Sequence, residues 1–242
     1  MLAVICCAAS AQTFDVASIR ESVPDSHGSR DITPGPASLT VRNMSVLGCI
    51  AWAYRVQGSQ ISGPPWLDEE KFDIAAKAPG RADENSLRLM LRALLADRFA
   101  LKLRIEKKEM AVYSLTVGKN GPNFHDATAK DSSKFRETQS EEPSRLGEDK
   151  TGLMAERIRL SEMADLLSEP LQRPVIDNTG LKGRYDIRLD VAAYMTNSEG
   201  HLDAIGFILS GFQTQLGLKL ESGKENVDYL VIESVNKTPT QN

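Results

Sequence analysis

Three histidines, three cysteines and one acidic triplet are the residues of this 242-residue chain from which a reaction could most readily be built. His27, His125 and His201 fall in predicted loops at unrelated places, so folding would have to assemble any histidine pair or triad. Asp68, Glu69 and Glu70 follow Trp66 in a turn and could hold a cation or serve in acid–base work. Adjacent residues seldom converge on one point, however, and a solvated turn accounts for the triplet. Cys49 lies inside the apolar run VLGCIAWAY and reads as a buried structural thiol, since no His or Asn motif points to its activation. The sequence contains no His-Glu-x-x-His helix, Gly-x-Ser-x-Gly elbow, Gly-rich phosphate loop or Cys-x-x-Cys pair. No catalytic residue, cofactor or metal site is therefore expected.

Composition narrows the setting. With 41% hydrophobic and 26% charged residues, the chain reads as soluble and globular, one large domain or two small ones. Its formal charge of −4 offers no attraction to nucleic acid or to an anionic membrane. The most basic short stretch, residues 104–108, is broken by Glu106 and reads as a solvated strand end and turn. Residues 1–11 are apolar and small and end in Ala9-Ser10-Ala11, which fits a secretory signal with a shortened start and a mature chain from Gln12. That implies a secreted or periplasmic protein. It also removes Cys6 and Cys7 and leaves Cys49 without a disulfide partner. No stretch beyond the signal is apolar for long enough to span a membrane.

The elements that must position any site are legible from periodicity. FDVASI at 14–19 and SLTVRN at 38–43 read as strands, joined by a long turn-rich loop at 20–37. Residues 44–57 read as a buried helix capped by Asn43 or Ser45. A short strand and a Pro-stiffened turn occupy 59–70, and KFDIAAKA is a strand. Leu87, Met90, Leu91, Leu94 and Leu95 set a helical stripe over 83–99, with Asp83 or Asn85 as its cap. Residues 99–117 read as a hairpin. Residues 118–152 are polar and turn-rich and read as a linker. Beyond it come a strand at MAERIRL, a helix capped by Ser161, a short strand RPVID, the strand RYDIRLDV, a helix over 202–215 and a second hairpin.

The two halves match. Phe72-Asp73-Ile74 falls on Tyr185-Asp186-Ile187, 113 positions on, and Leu91, Leu95 and Phe99 fall on Ile208, Phe212 and Leu216. Ser45 falls near Ser161, Ile61 near Val175 and Leu67 near Leu181. Each half reads β-α-β-β-α-β-β, so the expected fold is α+β, an internal duplication with mixed or antiparallel sheets and two helices per half. The expected organisation is a signal at 1–11, a first repeat at 12–117 with an extra N-terminal strand, the linker at 118–152, a second repeat at 153–235 and a tail at 236–242. In the strands, Phe72 and Ile74 face the core and Asp73 the solvent or sheet edge.

One region breaks the symmetry. Trp52, Tyr54 and Arg55, and then Pro64-Pro65-Trp66, stand where the second half offers Ser168, Pro170, Leu171 and turn residues. Aromatic and Arg side chains are enriched at binding hot spots, and a Pro-stiffened loop loses little entropy on binding. Tyr54, Arg55, Pro64, Pro65 and Trp66 are thus the candidate ligand- or partner-contacting residues, although Trp66 also reads as closing the core of its half.

The blocks GPPWLDEEKFDIAAKAP, MLRALLADRFALKLRIEKKEMAVYSLTVGKNGP, RPVIDNTGLKGRYDIRLDV, and QLGLKLES followed by VDYLVIESV span most of residues 13–235. In these blocks the chain resembles the soil-associated family of secreted bacterial proteins, a domain of unknown function abundant in acidobacteria. That domain is found alone or fused to antirepressor-type membrane metallopeptidases. The resemblance implies no reaction. The element order is also similar to the short N-terminal domains of secretins and TonB-dependent transducers, which is a fold-level analogy. The expected function is an exported, non-catalytic binding or interaction domain, sensory or adaptor in kind, with an envelope or secreted protein partner. The alternatives are a secreted hydrolase using loop residues such as His125 and the acids at 68–70, and a domain that holds a small hydrophobic or glycan ligand between the halves.

Overall fold

The computed structural model describes residues 12–23, 31–127, 145–149, 152–190 and 204–240. The signal segment 1–11, His27, His201 and most of the predicted linker lie outside them. The fold is α+β, in two compact units: residues up to 107 together with 228 onward, and residues 108–227.

The first unit is built on four antiparallel strands: β1 (Val16–Glu21), β2 (Asp31–Pro34), β3 (Ser38–Ser45) and β5 (Lys71–Lys77), in the order β1-β5-β3-β2. Alternation does the sorting. Phe72, Ile74 and Ala76 are buried while Asp73, Ala75 and Lys77 are exposed. Helix α1 (Val46–Tyr54) follows β3 directly, with Ser45 as its cap: the Ser45 hydroxyl accepts from the Gly48 N–H at 3.1 Å. After a 3-10 turn come the two-residue strand β4 (Ile61–Ser62) and a single helical turn, α2 (Trp66–Glu69). Helix α3 (Glu84–Arg98) starts at Asp83, whose carboxylate accepts from the Ser86 N–H at 2.8 Å. Its predicted stripe, Leu87, Met90, Leu91, Leu94 and Leu95, is buried. Phe99 closes the helix against Phe72, edge to face, with ring centroids 5.2 Å apart.

The second unit carries β7 (His125–Asp126), β8 (Arg145–Asp149), β9 (Gly152–Ile158) and β11 (Tyr185–Asp190), again antiparallel, in the order β7-β11-β9-β8. Strands β7 and β8 lie inside the segment expected to be a linker, where they flank the sheet. Helix α4 (Leu160–Ser168) and helix α5 (Ala204–Gln215) bury Met163, Ala164, Leu167, Ile208 and Phe212 with Tyr185, Ile187 and Leu189. Arg159, not Ser161, is the N-cap of α4, and its N–H is taken by Glu162 Oε2 at 3.1 Å. The helix begins two residues earlier than a Ser161 cap implies, which puts Glu162 in place to receive the cap N–H.

The two expected hairpins do not form. Residues 102–117 make one 16-residue strand, β6 (Lys102–Val117), and residues 218–234 make one 17-residue strand, β12 (Leu218–Ser234). With β10 (Val175–Asp177) they complete a sheet ordered β10-β6-β12-β4, in which β10 runs parallel to β6 and β4 parallel to β12. The stretch Glu106–Glu109 has no Gly, Pro, Asn or Asp to reverse the chain. Glu221-Ser222-Gly223 does have a turn residue, but long-range pairing overrides it. Ion pairs run from strand to strand instead: Lys107–Asp228 at 2.7 Å, Lys224–Glu109 at 3.5 Å and Arg104–Glu233 at 3.8 Å.

The aspartates of the FDI and YDI motifs do more than face solvent. The register between β3 and β5 shifts between Val41 and Met44, and Asn43 there takes φ +48°. Asp73 Oδ1 accepts the Asn43 N–H at 2.8 Å and also the Ser22 hydroxyl at 2.8 Å. In the second unit the register of β11 against β9 shifts between Tyr185 and Ile187. Arg157 takes φ +55° there and donates its N–H to Asp186 Oδ1 at 2.8 Å. In both units a carboxylate closes a bulge whose left-handed residue stands three positions before the first helical residue. A non-glycine residue in that conformation costs about 1–2 kcal/mol, and a hydrogen bond to a charged acceptor returns a comparable amount. Asp73→Ala and Asp186→Ala should each lower stability by about 1–3 kcal/mol, read as a fall in the urea midpoint. Asp73→Asn keeps an acceptor oxygen and should cost clearly less. Equal losses from Ala and Asn would refute the role of that acceptor.

Candidate functional site

The five candidate residues separate into two groups. Tyr54 ends α1, and Arg55 follows it in a left-handed conformation (φ +56°) that donates its N–H back to Trp52 O. Both lean toward α3. The guanidinium of Arg92 stacks on the Tyr54 ring at 4.2 Å and donates Nε–H to Ala53 O at 2.8 Å. Arg55 Nη2 donates to Asn85 Oδ1 at 2.6 Å. One turn earlier, Arg88 covers the Trp52 ring at 4.2 Å, bonds Trp52 O, and pairs with Glu84 at 2.6 Å. Trp52 and Tyr54 are partly buried against the core of the first unit, so each ring has one face on the core and an Arg over it.

Pro64 and Pro65 instead lead into α2, with Pro65 at its N-cap and Trp66 as its first residue. Pro64 is half-buried, Pro65 exposed, and Trp66 packs partly buried on the same core. The bend into them needs Gly63, because a Cβ there would lie 2.6 Å from Leu67 Cδ1 and 3.0 Å from Ile232 Cγ1. Asp68 on α2 accepts from the Ser45 hydroxyl at 3.0 Å, at the N-terminal end of α1. Tyr54 and Arg55 stand at its other end, roughly 13 Å along a nine-residue helix.

The acidic triplet is divided among structural partners. Asp68 takes Ser45 and lies 3.5 Å from Lys71 Nζ, while Glu70 pairs with Lys237 at 2.6 Å. Among the described residues no group of three or more His, Cys, Asp or Glu is placed to hold a metal ion. His125, exposed on β7, belongs to the other unit and stands opposite Asp186 in the strand register.

Electrostatics follows burial. Burial pushes the Tyr54 phenol above its ordinary value, with Arg92 pulling the other way. Hydrogen bonds from Ser86, its side chain first, hold Asp83 below the usual carboxylate range, and Arg55 adds to this.

The residues that complete this face, Asn85, Arg88, Leu89 and Arg92, escaped the sequence reading. Their signal was present: they fall at i, i+3, i+4 and i+7 beside the buried stripe of α3. Their stacking partners lie on another helix, which periodicity alone does not identify. Leu89 is 47% exposed among them.

A model of a protein family of unknown function (DUF3738) matches residues 48–235. The chain belongs to this family. The match takes in nearly all of α1 and runs to the end of β12, so the whole α1–α3 face lies within the DUF3738 region. Searches of curated proteins and of solved structures gave no match.

Cys49 offers a direct check on the core beneath this face. It is fully buried, and burial pushes its thiol up from about 9 to about 12. The native protein keeps a proton that the unfolded chain sheds above pH 9, so this stabilisation is complete below that pH and lost as pH rises toward 12. Stability should fall by up to ~1.4 kcal/mol per pH unit over that window, and Cys49→Ala should lose this slope. Urea titrations at stepped pH measure both. A thiol reagent should label Cys49 at neutral pH only as fast as the protein opens; fast labelling of the native state would contradict its burial.

Proposed function

We propose that this chain is an exported, non-catalytic binding domain of the cell envelope that docks a protein partner on the α1–α3 face of its first unit. The observation that carries this reading is the pair of Arg-on-aromatic stacks, Arg88 on Trp52 and Arg92 on Tyr54, beside the exposed Leu89. Trp, Tyr and Arg dominate binding hot spots, and side chains already held in place lose little freedom on association. Export is supported by the signal-like residues 1–11. In this reading the chain is a sensory or adaptor form of a soil-bacterial domain that also occurs behind membrane metallopeptidases.

The second unit supplies the contrast. Helix α4 has the same nine-residue length as α1 and follows a bulge closed in the same way. These matches support a duplicated unit. Counting from the first residue of each helix, Trp52, Tyr54 and Arg55 correspond to Leu166, Ser168 and Glu169. One such helix thus does without the aromatic and arginine set, which argues that the fold does not require it. Of the acids on which the hydrolytic alternative draws, Asp68 is engaged by the Ser45 hydroxyl and Glu70 pairs with Lys237 at 2.6 Å.

The test is photo-crosslinking from position 89 of the full chain in envelope extract of the source cells. The expected result is one saturable adduct, competed by excess unlabelled protein, not competed by the Trp52→Ala variant, and absent when the crosslinker stands at Leu166. No saturable adduct, or the same adduct from both positions, would end the proposal.

A further inference from the structure

We propose that residues 236–240 form a strap that closes over the C-terminal end of α3, with the carboxylates beside α2 as its catch, and that this strap opens by itself while the rest of the first unit stays folded. The last carbonyls of a helix have no partner within it. In α3 they are met by the chain just past β12. The Asn236 N–H donates to Phe99 O at 2.7 Å, and the Thr240 N–H to Arg98 O at 2.8 Å. Arg98 Nη1 returns a bond to Thr240 O at 3.2 Å. Between these attachments Lys237 reaches Glu70 at 2.6 Å. The hydrogen bond and charge of Glu70, with the charges of Glu69 and Glu21 beyond it, raise the Lys237 ammonium above its ordinary value. Two members of the acidic triplet at 68–70 thus receive the strap.

The second unit closes its own helix end in the same way, but fastens the closure to its core. Past β6, the Gly118 N–H donates to Gly217 O and the Asn123 N–H to Leu216 O, both at 2.8 Å, and Asn123 Nδ2 donates to Gln215 O at 2.9 Å, all at the end of α5. Leu216 stands where Phe99 stands in the first unit, so Asn123 and Asn236 make the same bond. Phe124 follows Asn123 and packs edge to face on Tyr185, with ring centroids 5.1 Å apart. The residue after Leu216 is Gly217 at φ +65°, a conformation that suits glycine. The residue after Phe99 is Ala100 at φ +48°, a costlier way to end a helix. Among the described residues Val235 is the last side chain packed on the first core. Beyond it the strap reads Asn-Lys-Thr-Pro-Thr, in which Pro239 is half-buried and the other four residues are exposed. A few exposed hydrogen bonds and one exposed ion pair stand close to balance against the freedom of five ordered residues. A segment held in that way opens locally without global unfolding.

The experiment is native-state hydrogen exchange, followed by NMR on the full chain. The Asn236 and Thr240 amides should exchange at least about tenfold slower than in an unstructured chain, yet about a hundredfold or more faster than the amides of β5. The Asn123 amide should stay well below the Asn236 rate. Raising salt from about 50 to about 300 mM should speed the strap amides about two- to fivefold and leave β5 unchanged, because the ion pair is exposed and screened. Lys237→Gln should speed them similarly, and Lys237→Arg, which keeps the charge, should not. Thr240→Pro removes the donor to Arg98 O and should speed the Arg98 and Phe99 amides at the end of α3. Thermal melts of each variant check that the global fold is kept. Strap amides as slow as β5, or as fast as an unstructured chain, would each overturn the proposal. Unchanged rates in Lys237→Gln would remove the catch, and unchanged Arg98 and Phe99 rates in Thr240→Pro would remove the hold on α3.

Discussion

The bulge closed by an aspartate is the constraint on which each unit depends. The left-handed residue at Asn43 turns the chain, and Ser45 is then in place to cap a helix that lays Val46, Cys49, Ile50 and Ala53 into the core. Asp73 holds that turn from the neighbouring strand, and its flanking residues Phe72 and Ile74 are core. The aromatic–Asp–aliphatic triplet therefore does two jobs through the period of a strand: the outer positions pack, and the middle one satisfies a backbone donor at a bent site. The same device recurs at Asp186 and Arg157.

The long strands show a different balance. Turn preference is local and weak, worth little against a continuous backbone ladder. Strand β6 contributes Leu103 to the first core and Leu115 to the second, while β12 contributes Leu218 to the second and Leu230 to the first. Each exposed ion pair along the ladder adds at most about 1 kcal/mol. The buried leucines matter more, at about 1.5–3 kcal/mol each.

The α1–α3 face draws its character from what supports it. Trp52 and Tyr54 are neither wholly core nor wholly surface. Their inner sides belong to the hydrophobic cluster, and their outer sides are covered by arginines that α3 places one turn apart. Burial of the rings orders them, and the ordered rings in turn order the guanidiniums. A surface built in this way is rigid because of the core beneath it, which is the condition under which few contacts can give selective recognition.

Much of this was legible in the sequence, and the boundary is physical. The alternation of β5 and β11, the stripe of α3, the caps at Ser45 and Asp83 and the buried Cys49 were readable because they depend on neighbours within a few residues. The recurrence of Phe72-Asp73-Ile74 as Tyr185-Asp186-Ile187 was readable too, as pattern without purpose. The backbone donor that Asp73 binds lies 30 residues away, what Arg88 and Arg92 stack on lies on another helix, and the residues that pair β6 with β12 lie more than a hundred positions apart along the chain. Only tertiary structure decides such pairings, because many turns and partners are locally allowed and packing selects the one that buries the most apolar surface while leaving fewest donors unmet.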